Sequence, residues 1–375
     1  MSDNELISKL DLLNIDSDEK ILSTSDSVIS SDDNNVKKES IKVLTIGDPH
    51  FKTSNTIESE EFTNKLLEVA KKINPDIIVC LGDILDRHET IHVSPLMRAT
   101  ECLKKLSEIS KLYAIIGNHD RPNNSNYLTD EHPFNALKHW PNTNIIDKVV
   151  VDNVKGYKFV FAPYVPPGRF MEALETVDKA LENTCAIFAH QEFYGAKMGV
   201  ITSLIGDNWP LEYPLVISGH IHDYDELQSN IFYVGTPMQH AFGDRSDKGL
   251  SLFTFYTNGH YDHERIDLQL TKRIIVYLTP SEVATYEPPE KFLVKLVIQG
   301  STAEIKPLMK TAKIKELTKK GIKISYKYFD PTDSSQSNTI DINQHQTFLD
   351  SLYKEISSDI QQIKWFEKLF GKINV

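Results

Sequence analysis

The chain predicts an α/β fold, and three features of its pattern carry that prediction. From Ile41 onward, short apolar runs alternate with segments of helical spacing, the signature of parallel strands joined by crossover helices. After Pro210 the helical spacing thins out while strand-like runs continue, which points to antiparallel strands. Polar motifs at Asp48, Asp83, Asn118, His190 and His220 follow apolar runs, and in an open sheet the polar loops collect at the carboxyl ends of the strands.

Val43–Ile46 reads as a short buried strand. Glu60–Lys72 follows as a helix with its apolar stripe through Phe62, Leu66, Leu67 and Val69. Ile77–Leu81 is a second strand, Pro95–Ser110 a second amphipathic helix and Tyr113–Ile116 a third strand. Further strands are expected near Phe159–Ala162, Ala186–Ala189, Leu215–Ser218, Ile231–Val234 and Leu250–Phe255, with a helix over Arg169–Leu181. After about Lys272 the texture changes. Glu290–Gly300 alternates as a strand, Glu304–Lys320 reads as a lysine-rich helix and Ile322–Tyr328 as another strand, a small β-α-β module behind the loop Thr279–Pro289. A Ser/Gln/Asn linker, Asp333–Asn338, leads to apolar helical faces that include Phe348, Leu352, Trp365 and Phe370. The expected division is a tail over residues 1–40, a main domain over 41–270, the module over 271–332, and a linker with a helical tail over 333–375.

Composition allows a sizeable core: 375 residues, 40% hydrophobic and 25% charged, fit a globular protein with one large or two medium domains. No apolar run approaches the ~18 residues that span a bilayer. The start Met1-Ser2-Asp3-Asn4-Glu5 has neither the basic flank nor the apolar core of a secretory signal. Cys80, Cys102 and Cys185 are an odd, scattered set that fits buried free thiols rather than disulfides or a thiolate zinc site. A reducing compartment, cytoplasmic or nuclear, is expected. The net charge of -12 sits awkwardly with a nucleic-acid ligand, but residues 1–40 carry ten acids against four lysines and so hold half of it. That segment, rich in Ser, Asp and Asn, reads either as a disordered tail or, through Leu6–Leu13, as a partner-binding helix.

Five motifs carry the chemistry: Asp48-Pro49-His50, Gly82-Asp83-Ile84-Leu85-Asp86, Gly117-Asn118-His119-Asp120, Ala189-His190 and Gly219-His220-Ile221-His222. Each places an oxygen or imidazole donor at the end of an apolar run, and together they suit two adjacent cations. Asp83 suits a shared carboxylate. Asp48 and His50, two residues apart on an extended strand end, complete one metal with His222, while Asn118, His190 and His220 serve the other. Oxygen donors mixed with imidazoles and no thiolate suit Mn2+, Fe or Zn2+ better than Ca2+. Such a pair of cations clamps a phosphate for in-line attack. His119, next to Asn118, is left to touch substrate and protonate the leaving oxygen, with Asp120 to orient its ring. His88, His92, His132, His139, His260, His263 and His345 read as structural, and His240, after the turn Gly235-Thr236-Pro237, as bordering the site or not.

In order, these motifs resemble the calcineurin-like metallophosphoesterase superfamily over roughly residues 41–270. The resemblance implies a two-sheet β-sandwich flanked by helices with a dinuclear, Mn2+-type centre at one end. Within the superfamily the chain looks most like the DNA repair nucleases of the SbcD and phage recombination endonuclease kind. Phe292–Lys327 is similar to their small DNA-capping domain. Residues 306–327 hold eight lysines and one glutamate, either a solvated face or a DNA-facing one, and the second reading makes Lys313, Lys319 and Lys320 substrate-binding candidates. The resemblance further implies a homodimer through Ser94–Ser110 and Pro133–Trp140, and an SbcC-type coiled-coil ABC ATPase held by residues 346–371, with DNA as substrate and no membrane. Asp86 stands where many repair enzymes have histidine, and Asp86-Arg87 is similar instead to the wider phosphoesterases, including protein phosphatases. The alternative reading is therefore a phosphatase or phosphodiesterase acting on a phosphoprotein or small molecule.

Overall fold

The computed structural model describes residues 40–199 and 201–329. The acidic N-terminal tail and the C-terminal linker and helices therefore lie outside the described residues. In chain order the elements are β1 (Ser40–Ile46), α1 (Thr56–Ile73), β2 (Ile77–Cys80), α2 (Val93–Ser107), β3 (Lys111–Ile115), β4 (Thr143–Ile146), β5 (Val150–Val154) and β6 (Tyr157–Phe161). The short α3 (Phe170–Leu174) is followed by β7 (Ala186–Ala189), the two-residue hairpin strands β8 (Lys197–Met198) and β9 (Ile201–Thr202), then β10 (Val216–Ser218), β11 (Asp225–Gln228), β12 (Ile231–Tyr233), β13 (Leu250–Tyr256) and β14 (Tyr261–Ile266). A module of β15 (Lys272–Leu278), β16 (Phe292–Gly300), α4 (Thr302–Leu308), α5 (Ala312–Lys319) and β17 (Lys323–Tyr328) follows.

Two six-stranded sheets form the main body, in the orders β14-β13-β1-β2-β3-β4 and β11-β12-β10-β7-β6-β5. Each holds four parallel strands, β1 to β4 in one and β6, β7, β10 and β12 in the other. The α/β class expected from the alternation is the class observed. Period-two alternation splits the first sheet's side chains between two cores. Val43, Val79, Tyr113 and Ile115 face Phe159, Phe161, Phe188 and Ile217 of the second sheet, whereas Leu44, Ile78 and Leu112 pack under Leu66 of α1 and Leu103 of α2. The inner layer is rich in aromatics: Tyr113 stacks on Phe161 with centroids 3.8 Å apart, and Tyr113 Oη donates to Asp152 at 2.6 Å. The second sheet's outer face is covered by Phe170, Leu174, Phe193 and Trp209.

Four expectations need correction. The run after Pro210 is not simply antiparallel, because β11 folds back as a hairpin and returns β12 parallel to β10. The helix expected over Arg169–Leu181 ends at Leu174. There the hydroxyl of Thr176 takes the carbonyl of Ala173 at 2.6 Å, and Thr176-Val177 is a β-branched pair. The lysine-rich helix is two helices: Pro307 offers no amide hydrogen inside the first, and Thr311 caps the second through its hydroxyl to Ile314 N. The module is also larger than β-α-β. Its sheet is a parallel β15-β16-β17 around a core of Val283, Leu296, Ile298 and Leu317. Cys80 and Cys102 are buried and Cys185 half-buried, all as free thiols. Among the described residues no helix is long and apolar enough to cross a membrane.

Candidate metal centre

Parallel strands from both sheets end at one edge of the sandwich. Asp48 and His50 follow β1, Asp83 follows β2, Asn118 and His119 follow β3, His190 follows β7, and His220 and His222 follow β10. Backbone hydrogen bonds from His50 N to Asp83 O (3.0 Å) and from Phe51 N to Ile84 O (2.8 Å) lock the first two loops together. Close approach demands glycine. A Cβ on Gly82, whose φ is +107°, would lie 2.4 Å from His190 Nδ1, and one on Gly117 would lie 2.2 Å from an Asp83 oxygen. His50, Asp83 and His220 are themselves left-handed (φ 44°, 46° and 77°). Such residues cost about 1–3 kcal/mol each and persist only where the surroundings over-determine them.

The donors gather into two groups. Asp48, His50 and His222 present atoms within 4.8 Å of one another, as do Asp83, His190 and His220. Asn118 Oδ1 lies 3.0 Å from both His190 Nε2 and His220 Nδ1, which adds it to the second group. His50 and His222 point Nε2 at each other across 3.1 Å. Asp83 spans the two groups, 3.3 Å from His190 Nε2 and 3.8 Å from His50 Nε2. His190 Nδ1 donates to Leu81 O at 2.7 Å, leaving Nε2 as the donor atom turned to the centre.

Electrostatics describe a centre short of positive charge. Burial pushes the Asp48 carboxyl up to about 8, against the pull of His190. Burial also works against ionised Asp83, yet the imidazoles of His190, His50 and His119 hold it well below the usual carboxylate range. Burial opposes charge on His190 too, but Asp83 and Asp48 raise it to about 9. His50 is driven well below the ordinary histidine value, chiefly by burial. Among the described residues no lysine or arginine pairs with Asp48 or Asp83; their ion-pair partners are histidines. Buried carboxylates without lysine or arginine partners, converging imidazole nitrogens and a buried His50 Nδ1 with no hydrogen-bond partner fit two divalent cations.

His119 stands at the rim, one-third exposed, its Nε2 3.9 Å from Asp83. Its ring is oriented by the Asp86 carbonyl, which accepts from Nδ1 at 2.9 Å. The expectation that Asp120 would do this is overturned: the buried Asp120 carboxylate accepts from the amides of Ile84, Leu85 and Gly117 at 3.1, 2.8 and 3.0 Å and so pins two motif loops together. Lys313 and Lys320, read as DNA-facing, make ion pairs with Glu287 at 2.6 and 3.3 Å, and Lys320 also with Glu316 at 2.7 Å, so their charge is spent within the module. Lys319 is exposed on the same helix.

Three contributors were missed or left open. His88 stacks on His119, with centroids 4.6 Å apart and planes 18° apart. His240 borders the centre, donating from Nε2 to Asp48 O at 3.0 Å with its ring 4.9 Å from that of His50, and burial lowers its pKa to about 3. Glu192 faces His220 Nε2 at 3.8 Å. Two had a sequence signal: Glu192, two residues after His190 as His222 is two after His220, and His240, after the turn Gly235-Thr236-Pro237; the contact of His88 depends on loop paths that spacing does not encode.

Comparison with known proteins agrees with this geometry. Residues 41–224 match the model of the calcineurin-like phosphoesterases. The candidate phosphoesterase 078R of Invertebrate iridescent virus 3 is 39% identical over 328 residues, covering 86% of this chain and 94% of the relative. The candidate phosphoesterase 244L of Invertebrate iridescent virus 6 is 41% identical over 280 residues, 72% of this chain and 98% of the relative. The SbcD component of the nuclease SbcCD from Staphylococcus saprophyticus is 26% identical over 217 residues, half of this chain and 57% of its own length. The shared region takes in every motif around the centre, and the chain belongs to the calcineurin-like phosphoesterase family.

Proposed function

We propose that the protein is a Mn2+-dependent nuclease that hydrolyses phosphodiester bonds in DNA during repair or recombination. One observation carries the hydrolytic reading: seven convergent donors from both sheets with His119 held at their edge. When bound, two divalent cations neutralise phosphate charge and acidify the attacking water. Asp48, His50, Asp83, Asn118, His190, His220 and His222 would hold them. His119 donates Nδ1–H to the Asp86 carbonyl, so Nε2 is the atom that carries a proton to the leaving oxygen. The nuclease reading draws on the likeness to the SbcD component of SbcCD, and a cap-like module beside the main domain supports it.

The same reading includes an ABC-type ATPase held by residues 346–371 and a homodimer through Ser94–Ser110 and Pro133–Trp140; Val93 and Met97 of α2 are exposed apolar side chains. Deleting residues 340–375 is expected to spare cleavage of short DNA and abolish ATPase association. A second reading, a phosphatase or phosphodiesterase on smaller substrates, is favoured by Asp86-Arg87 and by the internal pairing of Lys313 and Lys320. The deciding experiment offers labelled linear and single-stranded DNA, and a simple phosphomonoester, to the purified protein with Mn2+, Mg2+ or chelator. Mn2+-dependent cutting that Asp83→Ala abolishes supports the nuclease. Turnover of the monoester without cutting favours the second reading.

A further inference from the structure

A half-open cavity of about 300 Å3 has His119 in its wall and none of the seven metal-donor residues. His119 is thus the side chain shared by the reacting centre and this cavity, and a leaving group whose oxygen takes the His119 proton has the cavity beside it. The walls are mostly apolar, supplied by Leu85, Ile91, Pro122 and Pro133, and Ile91 is 49% exposed. Arg87 is exposed and lines the same space, opposed by Glu89 and Glu131. The buried Arg121 and Asp120 also line it, and two guanidinium groups against three carboxylates do not make a phosphate site. The Arg87 guanidinium in a cavity with the apolar side chains of Ile91, Pro122 and Pro133 suits a neutral planar ring instead, because guanidinium planes stack on nucleobases. The volume lies at the small end of ligand sites, of about 300–1,000 Å3, which suits one nucleoside rather than a peptide.

We propose that this cavity is the leaving-group subsite and receives the nucleoside released at the cut bond, its base against Arg87 and Ile91. The inference rests on the phosphodiesterase reading above and narrows it: substrates with a nucleoside as leaving group gain contacts that a phosphoserine peptide would not. No feature of the cavity selects one base, so sequence-tolerant stacking is the expected mode.

The test is titration of the full chain with the fluorescent nucleoside 2-aminopurine deoxyriboside. Saturable quenching is expected, weakened about tenfold by Ile91→Glu and by Arg87→Glu, the scale of one lost stacking contact. Both positions are on the surface, so folding is expected to survive either change. Absence of saturable quenching, or equal affinity in the parent and both variants, would overturn the proposal. The probe has no phosphorus and reports binding whether or not any ester is cleaved. A protein that binds it and hydrolyses nothing would sink the proposed function alone, and one that cuts DNA without binding it would sink the subsite alone.

Discussion

His119 is tied to the centre through its neighbours rather than as a member of either donor group. Its Nδ1 is committed to the Asp86 carbonyl and its backbone amide to Asp83 Oδ1 at 2.8 Å. His119→Ala is therefore expected to lower kcat by about 10²–10⁴-fold while both metals stay bound; metal analysis of the variant checks this, and a lost ion would make His119 a ligand. Gly82→Ala tests the close packing. With φ at +107° and His190 Nδ1 2.4 Å from the new Cβ, it is expected to cost about 1–3 kcal/mol and to lower metal content, read by thermal unfolding and metal analysis. At this scale the sequence was legible where a donor sat directly behind an apolar run, as Asp48, Asp83 and His190 do. It failed for Asp120 because adjacency to His119 suggested contact, whereas the turn aims the carboxylate at three amides.

Strands and the two long helices could be read from periodicity because packing and pattern agree there. Phe62, Leu66 and Leu67 of α1 are all buried where the stripe placed them. Edge strands such as β5, β11 and β14 escaped because their half-buried, mixed patterns lack a clean alternation. The module's seat on the main body was invisible for another reason: it rests on contacts between residues far apart in sequence, among them Thr271 with Glu61, Lys323 over Phe242 and those of Arg273. Arg273 of β15 meets Glu58 of α1 at 2.6 Å and the Gln239 carbonyl at 3.1 Å, and its guanidinium lies over Phe242. Since Gln239 precedes His240, this joint also steadies the loop against His50. Arg273→Ala is expected to speed amide hydrogen exchange across Gln239–Asp244 and β15 while exchange in β2 and β3 stays unchanged; uniform loosening of all strands would refute the local role.

For the whole molecule, stability should depend on its ions and on pH. Cations bound only by the folded state add about 2.7 kcal/mol each at one hundred times their Kd. Chelator is thus expected to lower the parent's Tm and to have much less effect on Asp83→Asn. Asp147 is one of the carboxylates that make stability fall in acid. Burial opposes the charge of Asp147, but hydrogen bonds from His132 and Lys138 hold its pKa below the ordinary value. A carboxyl lowered on folding stabilises fully above its unfolded value of about 3.9 and loses that contribution as pH falls through the folded value. Asp147→Asn should therefore be less stable than the parent near neutral pH, with the gap closing in acid, which paired pH–denaturation curves would show.

Each donor group draws on both sheets: Asp48 and His50 wait for His222, and Asp83 waits for His190 and His220. The first half of the chain holds only part of either set, so a ribosome must translate past residue 222 before a polypeptide exists that can assemble the centre. Hydrolytic chemistry is thereby withheld from any copy that stops short of His222, a safeguard worth having if the substrate is the genome that encodes it.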